Sequence, residues 1–403
     1  MNYEVIIVGA GPAGSTAAKF LSEKGIKTLL IDKSIFPRDK PCGGGIPIRV
    51  LKRYKYINEK DFVESYSFGI CVYSHTLNTK LEILKNKPLL AMVHRSKFDE
   101  GLVKLAIDGG TVFMDGKTVE HFRIYNDNVK VSLSDGSVID SQIIIGADGI
   151  WSSIAKKIGL HQNCNHVGIC AFQEYLLGKK ILDQFFGVNR FVHIFLNIDG
   201  LVGYGWIFPK KEHVNLGIVE FRQAIHQSKR KINLRQSYEN YLFLLKKNKI
   251  LPDNMQSCNI RGAVYPCYPL HKTYGDRVVL CGDAGGFVNP ASGEGIYNAM
   301  RSGEIAANVI SEALENGDTS SNFLSKYQTL WNNDFGRDNK FFFQVSKGVR
   351  FASEKMIQRV SKDKKIVDMA LNIITDEVSI NDYKWKFAKR FIHIYFKDLF
   401  GKL

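Results

Sequence analysis

The chain has 403 residues, 45% hydrophobic and 24% charged, which allows two or three domains and the ordinary balance of a soluble globular protein. A formal charge of +15 points to an anionic membrane, a phosphate ligand or solubility alone, and no nucleic-acid motif accompanies it. No apolar run approaches the ~18 residues of a membrane span, and no basic segment precedes the first apolar stretch, so neither a spanning helix nor a secretion signal is expected.

Glu4 to Val8 is a short β-branched run and predicts a strand. Gly9-Ala10-Gly11-Pro12-Ala13-Gly14 follows at once. Ala17, Ala18, Phe20 and Leu21 then recur at helical spacing, and Gly25 marks the helix end. Thr28 to Ile31 predicts a second strand, ending on Asp32, 18 residues past the last glycine. This is the full context of a dinucleotide site. Gly9 permits the tight turn, Gly11 the approach of a pyrophosphate, and Gly14 close packing of helix on strand. The helix start offers unpaired N–H groups to phosphate, and Asp32 can accept from an adenosine ribose hydroxyl.

Phe36-Pro37-Arg38-Asp39-Lys40-Pro41-Cys42-Gly43-Gly44-Gly45 reads as a loop. Its three glycines leave backbone bare for a planar ligand, or simply make a flexible turn. Residues 62 to 92 read as strands, and His94-Arg95-Ser96-Lys97-Phe98-Asp99 opens a helix. Arg95 at that start faces a phosphate or solvent. Ile143-Ile144-Ile145 leads into Gly146-Ala147-Asp148-Gly149. Residues 166 to 222 are strand-rich, and alternation in Tyr204-Gly205-Trp206-Ile207-Phe208-Pro209 puts Tyr204, Trp206 and Phe208 on one face, lining either core or pocket. Arg277 to Leu280 predicts another buried strand, running into Cys281-Gly282-Asp283-Ala284-Gly285-Gly286 and then Gly293-Glu294-Gly295. A helix with Ala299, Met300, Ala306, Ile310 and Ala313 inward begins at Ile296. The tail from 320 is basic, aromatic and mostly helical. Seven scattered cysteines without a CxxC pair predict a reducing cytoplasm, no disulfide framework and no metal site.

The three separated pieces, GxGxxG with Asp32, Gly146-Ala147-Asp148-Gly149 and Gly282-Asp283 before a glycine-led helix, resemble the FAD-dependent oxidoreductases of the para-hydroxybenzoate hydroxylase type. Within them, the motifs at 37–45 and 204–209 look most like the geranylgeranyl reductases, over roughly residues 1 to 315. The resemblance implies an α/β fold: a Rossmann-type FAD-binding domain (1–62, 93–160 and 263–318), an inserted antiparallel-sheet substrate domain of α+β type (63–92 and 161–262) and a helical C-terminal region (319–403). It implies FAD contacts at Ala13, Asp32, Cys42, Gly43, Gly45, Arg95, Val119, Asp283, Gly295 and Ile296, beside Gly9, Gly11 and Gly14. Asp283 would bond the ribityl chain, and the helix from Gly295 would aim its amides at the flavin N1/C2 edge. Archaeal lipid reductases more often carry a third glycine where Glu294 stands, and plant-type reductases share the glutamate.

The implied activity saturates C=C bonds of geranylgeranyl chains, on membrane lipid precursors such as digeranylgeranylglycerophospholipids. Hydride reaches one alkene carbon, an acid protonates the other, and positioning with exclusion of water lowers the barrier. Tyr204, Trp206 and Phe208 would line the prenyl chain. Cys42 is a candidate proton donor, or a small residue packed against the flavin. The reductant is NADPH, a ferredoxin or another low-potential donor, since no second complete GxGxxG unit is present. The alternatives are a monooxygenase or halogenase of the same fold, or a non-catalytic lipid-binding flavoprotein. A last amphipathic helix puts Trp385, Ala388, Phe391, Ile392, Tyr395, Phe396 and Leu399 on one arc and Lys386, Lys389, Arg390 and Lys397 largely opposite. That pattern suits a peripheral contact at the cytoplasmic membrane face, or packing against the protein itself.

Overall fold

The β-branched runs at the N-terminus form parallel strands. The computed structural model describes every residue except 1, 58, 226–232, 254, 256–258, 349–353, 375–379, 381–382, 391–392 and 394–403. The chain divides into two units. The first comprises Met1–Lys40, Arg95–His166 and Tyr265–Lys340; the second comprises Pro41–His94, Val167–Val264 and Phe341–Leu403.

The sheet of the first unit runs Tyr274–Gly275, Val278–Leu280, Val138–Gly146, Asn2–Val8, Thr28–Ile31, Val112–Met114. All these pairings are parallel except the first. Val129–Leu133 and Val119–Ile124 extend it antiparallel from Val138–Gly146. The register sets Ile31 beside Val8, Val8 beside Gly146, and Gly146 beside Leu280. Side chains of Asn2–Val8 alternate between two cores. Val5 and Ile7 meet Ala17 and Leu21 of the helix Pro12–Ser22 and Ile305 and Val309 of the long helix Ile296–Glu315. Ile6 and Val8 meet Val129, Val131 and Ile139. Both faces are covered, which is why these strands read as continuous apolar runs.

Close backbone approach fixes where the helices sit. A Cβ on Gly14 would lie 1.9 Å from the Gly9 carbonyl oxygen, and one on Gly303 would lie 2.3 Å from that of Ala13. Gly9 has φ +100°, and a Cβ there would be 2.3 Å from the Ala147 oxygen.

The second unit is built on a seven-stranded sheet, ordered Arg261–Pro266, Val167–Leu176, His213–Phe221, Gly203–Pro209, Val192–Leu196, Gly69–Tyr73, Lys80–Leu84. Val192–Leu196 and Gly69–Tyr73 pair parallel; its neighbours from Val167 to Leu84 pair antiparallel. The helix Leu234–Lys247, capped by Asn233, covers one face through Tyr238, Tyr241 and Leu245.

The division shifts three of the expected boundaries by two to six residues and departs widely from the expectation in two places. Residues 41–62 fall in the second unit, where Gly45–Pro47 pairs with Leu90–Met92. The C-terminal region is not one body. Ser321–Trp331 belongs to the first unit, and Tyr327 Oη donates to the Leu280 carbonyl at 2.8 Å. Glu354–Ser361 and Lys364–Ile374 belong to the second. There Glu354 accepts from Thr76 and Thr79 at 2.9 and 2.8 Å, and Lys85 pairs with Asp368. Helical periodicity announces a buried face but not the sheet that covers it. Residues 383–390 and 393 are helical, while Phe391, Ile392, Tyr395, Phe396, Lys397 and Leu399 lie outside the described residues. Among the described residues no helix is long and apolar enough to cross a membrane.

The core of the second unit contains an imidazole. His193 Nδ1 lies 3.1 Å from Tyr73 Oη, and its ring stacks on Tyr73 and Phe195. Burial, then the Lys80 cation, pushes its pKa down to about 3. The folded protein keeps this ring neutral while the unfolded chain binds a proton below about pH 6.5. Stability should therefore fall as pH drops through about 6.5, by roughly 2 kcal/mol at about pH 5 from this residue. Urea unfolding of wild type and His193→Phe above and below that pH checks this. An equal loss of stability in the two proteins would refute it.

Candidate functional site

Four features singled out in the sequence leave one edge of the first unit's sheet. Ile31, Val8, Gly146 and Leu280 are neighbours in register, and Asp32, Gly9, Ala147 and Cys281 are the residues that follow them. Ligands of open parallel sheets bind outside such strand ends. The crossing is tied by backbone bonds: Gly9 N–H to Ile31 O at 2.7 Å, Ala147 N–H to Val8 O at 2.8 Å and Cys281 N–H to Gly146 O at 2.8 Å.

The helix Pro12–Ser22 starts there without a side-chain cap and without an acidic residue in its first turn. Its free amides and dipole suit a phosphate group. A Cβ on Gly11 would meet no protein backbone, only Arg38 Nη2 at 3.6 Å. The space above Gly11 is thus a cradle that any larger side chain would enter.

Asp32 is positioned by two amides, Ala10 N–H at 2.7 Å and Ser34 N–H at 2.9 Å. Each bond uses one lone pair of a different carboxylate oxygen, so acceptor capacity remains for a ribose hydroxyl. Lys117 N–H donates to the Asp32 carbonyl at 3.0 Å, which brings the strand carrying Val119 alongside. Arg95 makes a bidentate pair with Asp99, at 2.8 and 2.7 Å. Asp99 is fully buried and also holds Arg38 at 3.0 Å. Arg38 Nη1 is buried without a partner. A guanidinium with an unused buried donor beside Gly11 matches an anionic ligand. Arg38 and Asp99 are candidate site residues that the motif reading missed. The i,i+4 spacing of Arg95 and Asp99 was a visible signal for half of this arrangement.

Ala13, Gly282 and the long helix meet closely. A Cβ on Gly282 would lie 3.0 Å from the Ala13 Cβ, and Gly303 abuts the Ala13 carbonyl. Ile296, the first residue of that helix, lies seven residues before Gly303, about 10 Å along its axis. Gly295 is its N-cap and Ile296 is buried. Asp283 is half-buried on a short 3₁₀ turn and takes no hydrogen bond from any described side chain. Asp148 serves the fold instead. It accepts from Ser153 N–H at 2.7 Å and Ser152 Oγ at 2.5 Å, at the start of the helix Ser153–Lys157. Burial pushes the Cys281 thiol up to about 12, so it is no nucleophile. Gly9, Gly11, Ala13, Gly14, Asp32, Arg95, Val119, Asp283, Gly295 and Ile296 all belong to the first unit.

Cys42, Gly43, Gly45, Tyr204, Trp206 and Phe208 belong to the second unit, where they form one assembly. Tyr204, Trp206 and Phe208 do share a face, with ring centroids 6.2 and 6.3 Å apart in sequence. The opposite face carries Gly205 and Ile207 against Tyr241 and the core. The glycine turn lies on the aromatic side. A Cβ on Gly43 would be 2.9 Å from Phe208, and one on Gly45 would be 3.1 Å from it. Trp206 Nε1 donates to Asn215 Oδ1 at 2.8 Å, and Asn215 Nδ2 donates to the Cys42 carbonyl at 3.4 Å. Gly44 N–H donates to Cys42 Sγ at 3.4 Å.

A charged group braces this turn. Lys210 is 2% exposed, with Nζ 2.5 Å from Glu174 Oε1 and 3.4 Å from His94 Nδ1. Gly44 has φ +76°, and a Cβ there would lie 2.2 Å from Val93 O and 3.2 Å from Lys210 Nζ. Burial, then the Lys210 cation, holds His94 below its ordinary value, so its ring is neutral at pH 7. These residues come from three distant segments and carried no local signature.

The FAD binding domain family matches residues 2–330. An uncharacterized protein of Methanosarcina barkeri is 33% identical over 321 residues, 78% of this chain and 76% of that protein. A digeranylgeranylglycerophospholipid reductase of Methanocaldococcus jannaschii is 30% identical over 415 residues, 98% of each chain. Among solved structures, a geranylgeranyl bacteriochlorophyll reductase-like protein of Thermoplasma acidophilum superposes with TM-score 0.80 at 24% identity, over 95% of this chain and 98% of that one. The brominase Bmp2 shares the fold, with TM-score 0.72 at 19% identity over the whole of both chains. Extended likeness in sequence, the strand-end cradle and the matching domain lead to one assignment: the chain belongs to the FAD-binding flavoproteins, in the family of the digeranylgeranylglycerophospholipid reductases.

Proposed function

We propose that this protein is an FAD-dependent reductase that saturates C=C bonds of geranylgeranyl chains on membrane lipid precursors such as digeranylgeranylglycerophospholipids. One observation carries the reading. The Cys-Gly-Gly-Gly turn packs on the Trp206–Phe208 face in a chain that matches such reductases end to end. FAD supplies the hydride. The bare start of Pro12–Ser22 with Arg38 and Arg95 would hold the pyrophosphate, Asp32 the adenosine ribose and Asp283 the ribityl chain. The start of Ile296–Glu315 would face the flavin ring. Cys42 Sγ is the candidate to hold the proton that reaches the second alkene carbon. Gly43 and Gly45 would keep the neighbouring backbone thin, and Tyr204, Trp206 and Phe208 would exclude water from the prenyl chain. The reductant is NADPH, a ferredoxin or another low-potential donor.

Gly11→Val tests the cradle. The added Cβ meets no backbone, so the variant should fold like wild type, with an unchanged far-ultraviolet spectrum, yet purify colourless. A yellow variant with wild-type FAD affinity would remove Gly11 from the site.

The reaction is tested anaerobically with dithionite and a geranylgeranyl lipid. Mass spectrometry should find two hydrogens added per bond. If Cys42 is the acid, Cys42→Ala should leave flavin reduction intact and slow saturation roughly 10²-fold or more in a single turnover. Strict dependence on oxygen, with oxygen in the product, would make the protein a monooxygenase instead.

The cytoplasmic face of the membrane is the proposed place of work. Trp385 is 72% exposed, beside exposed Lys386 and Lys389. An aromatic with basic neighbours suits an anionic interface. Flotation with anionic vesicles should show binding that weakens with salt and falls in Trp385→Glu. Binding that ignores both changes would refute docking through this segment.

A further inference from the structure

Two of the helix starts in the first unit differ in charge. Pro12–Ser22 begins with no cap and no carboxylate. Ile296–Glu315 also lacks a side-chain cap at Gly295 and an acidic residue in its first turn. Yet Glu294, just ahead of it, turns its side chain back, and Oε1 accepts from Tyr297 N–H at 2.7 Å. The residue is held in this posture. Its carbonyl accepts from Asn289 N–H at 2.7 Å, and its own N–H donates to Ser292 Oγ at 3.3 Å. Asn289 Oδ1 in turn accepts from Ala291 and Ser292 N–H, at 3.0 and 3.3 Å.

A helix start carries roughly half a positive charge. A carboxylate bonded to one of its first amides opposes that charge and makes the local field less positive. Where the ligand is a permanent dianion, as at Pro12–Ser22, such a carboxylate would repel it. Where the ligand gains negative charge only on reduction, it selects between redox states. The oxidised ring is tolerated and the reduced ring is opposed. Charge beside the ring is a recognised lever on flavin electronics.

We propose that Glu294 is a positioning residue for the field at the flavin: its carboxylate lowers the reduction potential of bound FAD and makes the reduced cofactor a stronger hydride donor. An unactivated alkene offers no oxyanion to stabilise, so added driving force from the donor is of direct use. The inference rests on the proposed placement of the flavin at this helix start.

Glu294→Gln keeps an acceptor for Tyr297 N–H and removes the charge. With FAD bound, its midpoint potential should rise enough to favour the reduced form at least tenfold, about 30 mV for a two-electron couple. Glu294→Gly should move it the same way, and serves if the glutamine variant folds poorly. Ile296→Pro, which deletes the first amide at a helix position that tolerates proline, probes the placement. FAD affinity and thermal midpoint are measured in parallel, because a merely structural role would lower both without raising the potential. An unmoved potential in both Glu294 variants, with a shift in Ile296→Pro, overturns the tuning role alone. An unmoved potential in all three overturns the flavin placement as well.

Discussion

The first unit depends on a single line of register. Ile31, Val8, Gly146 and Leu280 stand side by side at the ends of parallel strands, so the four segments that follow them emerge together. A slip of one residue between Asn2–Val8 and either neighbour would exchange its Val5/Ile7 and Ile6/Val8 faces between two dry cores. The hydrophobic pattern thus holds the line, and the line fixes where Asp32 and the glycine turns arrive. The two contacts that leave no room for a side chain, Gly14 on the Gly9 carbonyl and Gly303 on the Ala13 carbonyl, then seat both helices on that edge.

The second unit solves a different problem. A thin, glycine-only segment must lie against large aromatic rings. Gly43 and Gly45 meet Phe208 at distances that no Cβ would permit without displacement, and Gly44 adopts a left-handed conformation against Val93 and Lys210. The buried Lys210, paired with the partly exposed Glu174, stands behind this turn. Taking the Lys210 cation out of water is costly, and its place here is better explained by the geometry it fixes than by net stability.

Much of this was legible from sequence because the signals are local. The strand, GxGxxG, helix, strand and Asp32 lie within the first thirty-two residues, and two-residue alternation placed Tyr204, Trp206 and Phe208 on one face. What escaped depends on pairings between distant segments. The boundary near residue 40 follows from Gly45–Pro47 pairing with Leu90–Met92, and no composition change marks it. Arg38 reaches Asp99 across the sequence, and His94, Glu174 and Lys210 converge from three strands and loops. Asp148 sat inside a recognised turn, yet its carboxylate serves the helix Ser153–Lys157. A short motif identifies a backbone path more securely than it identifies the duty of each side chain along it.

If the aromatic face is the substrate surface proposed above, its polar atoms limit what it can accept. Trp206 Nε1 is spent on Asn215, Asn215 is spent on Trp206 and the Cys42 carbonyl, and Tyr241 Oη bonds the Trp206 carbonyl from the core side. A polar substrate would therefore lose its hydration here and find few donors in return, a cost of a few kcal/mol for each buried group left unsatisfied. A hydrocarbon chain has no such groups to lose, and it gains from every ring it covers. Selection for an isoprenoid then needs no specific hydrogen bond. On the proposed function it follows from a surface whose Trp206 and Asn215 donors are already engaged, beside a turn on which the Cys42 thiol is the candidate proton donor.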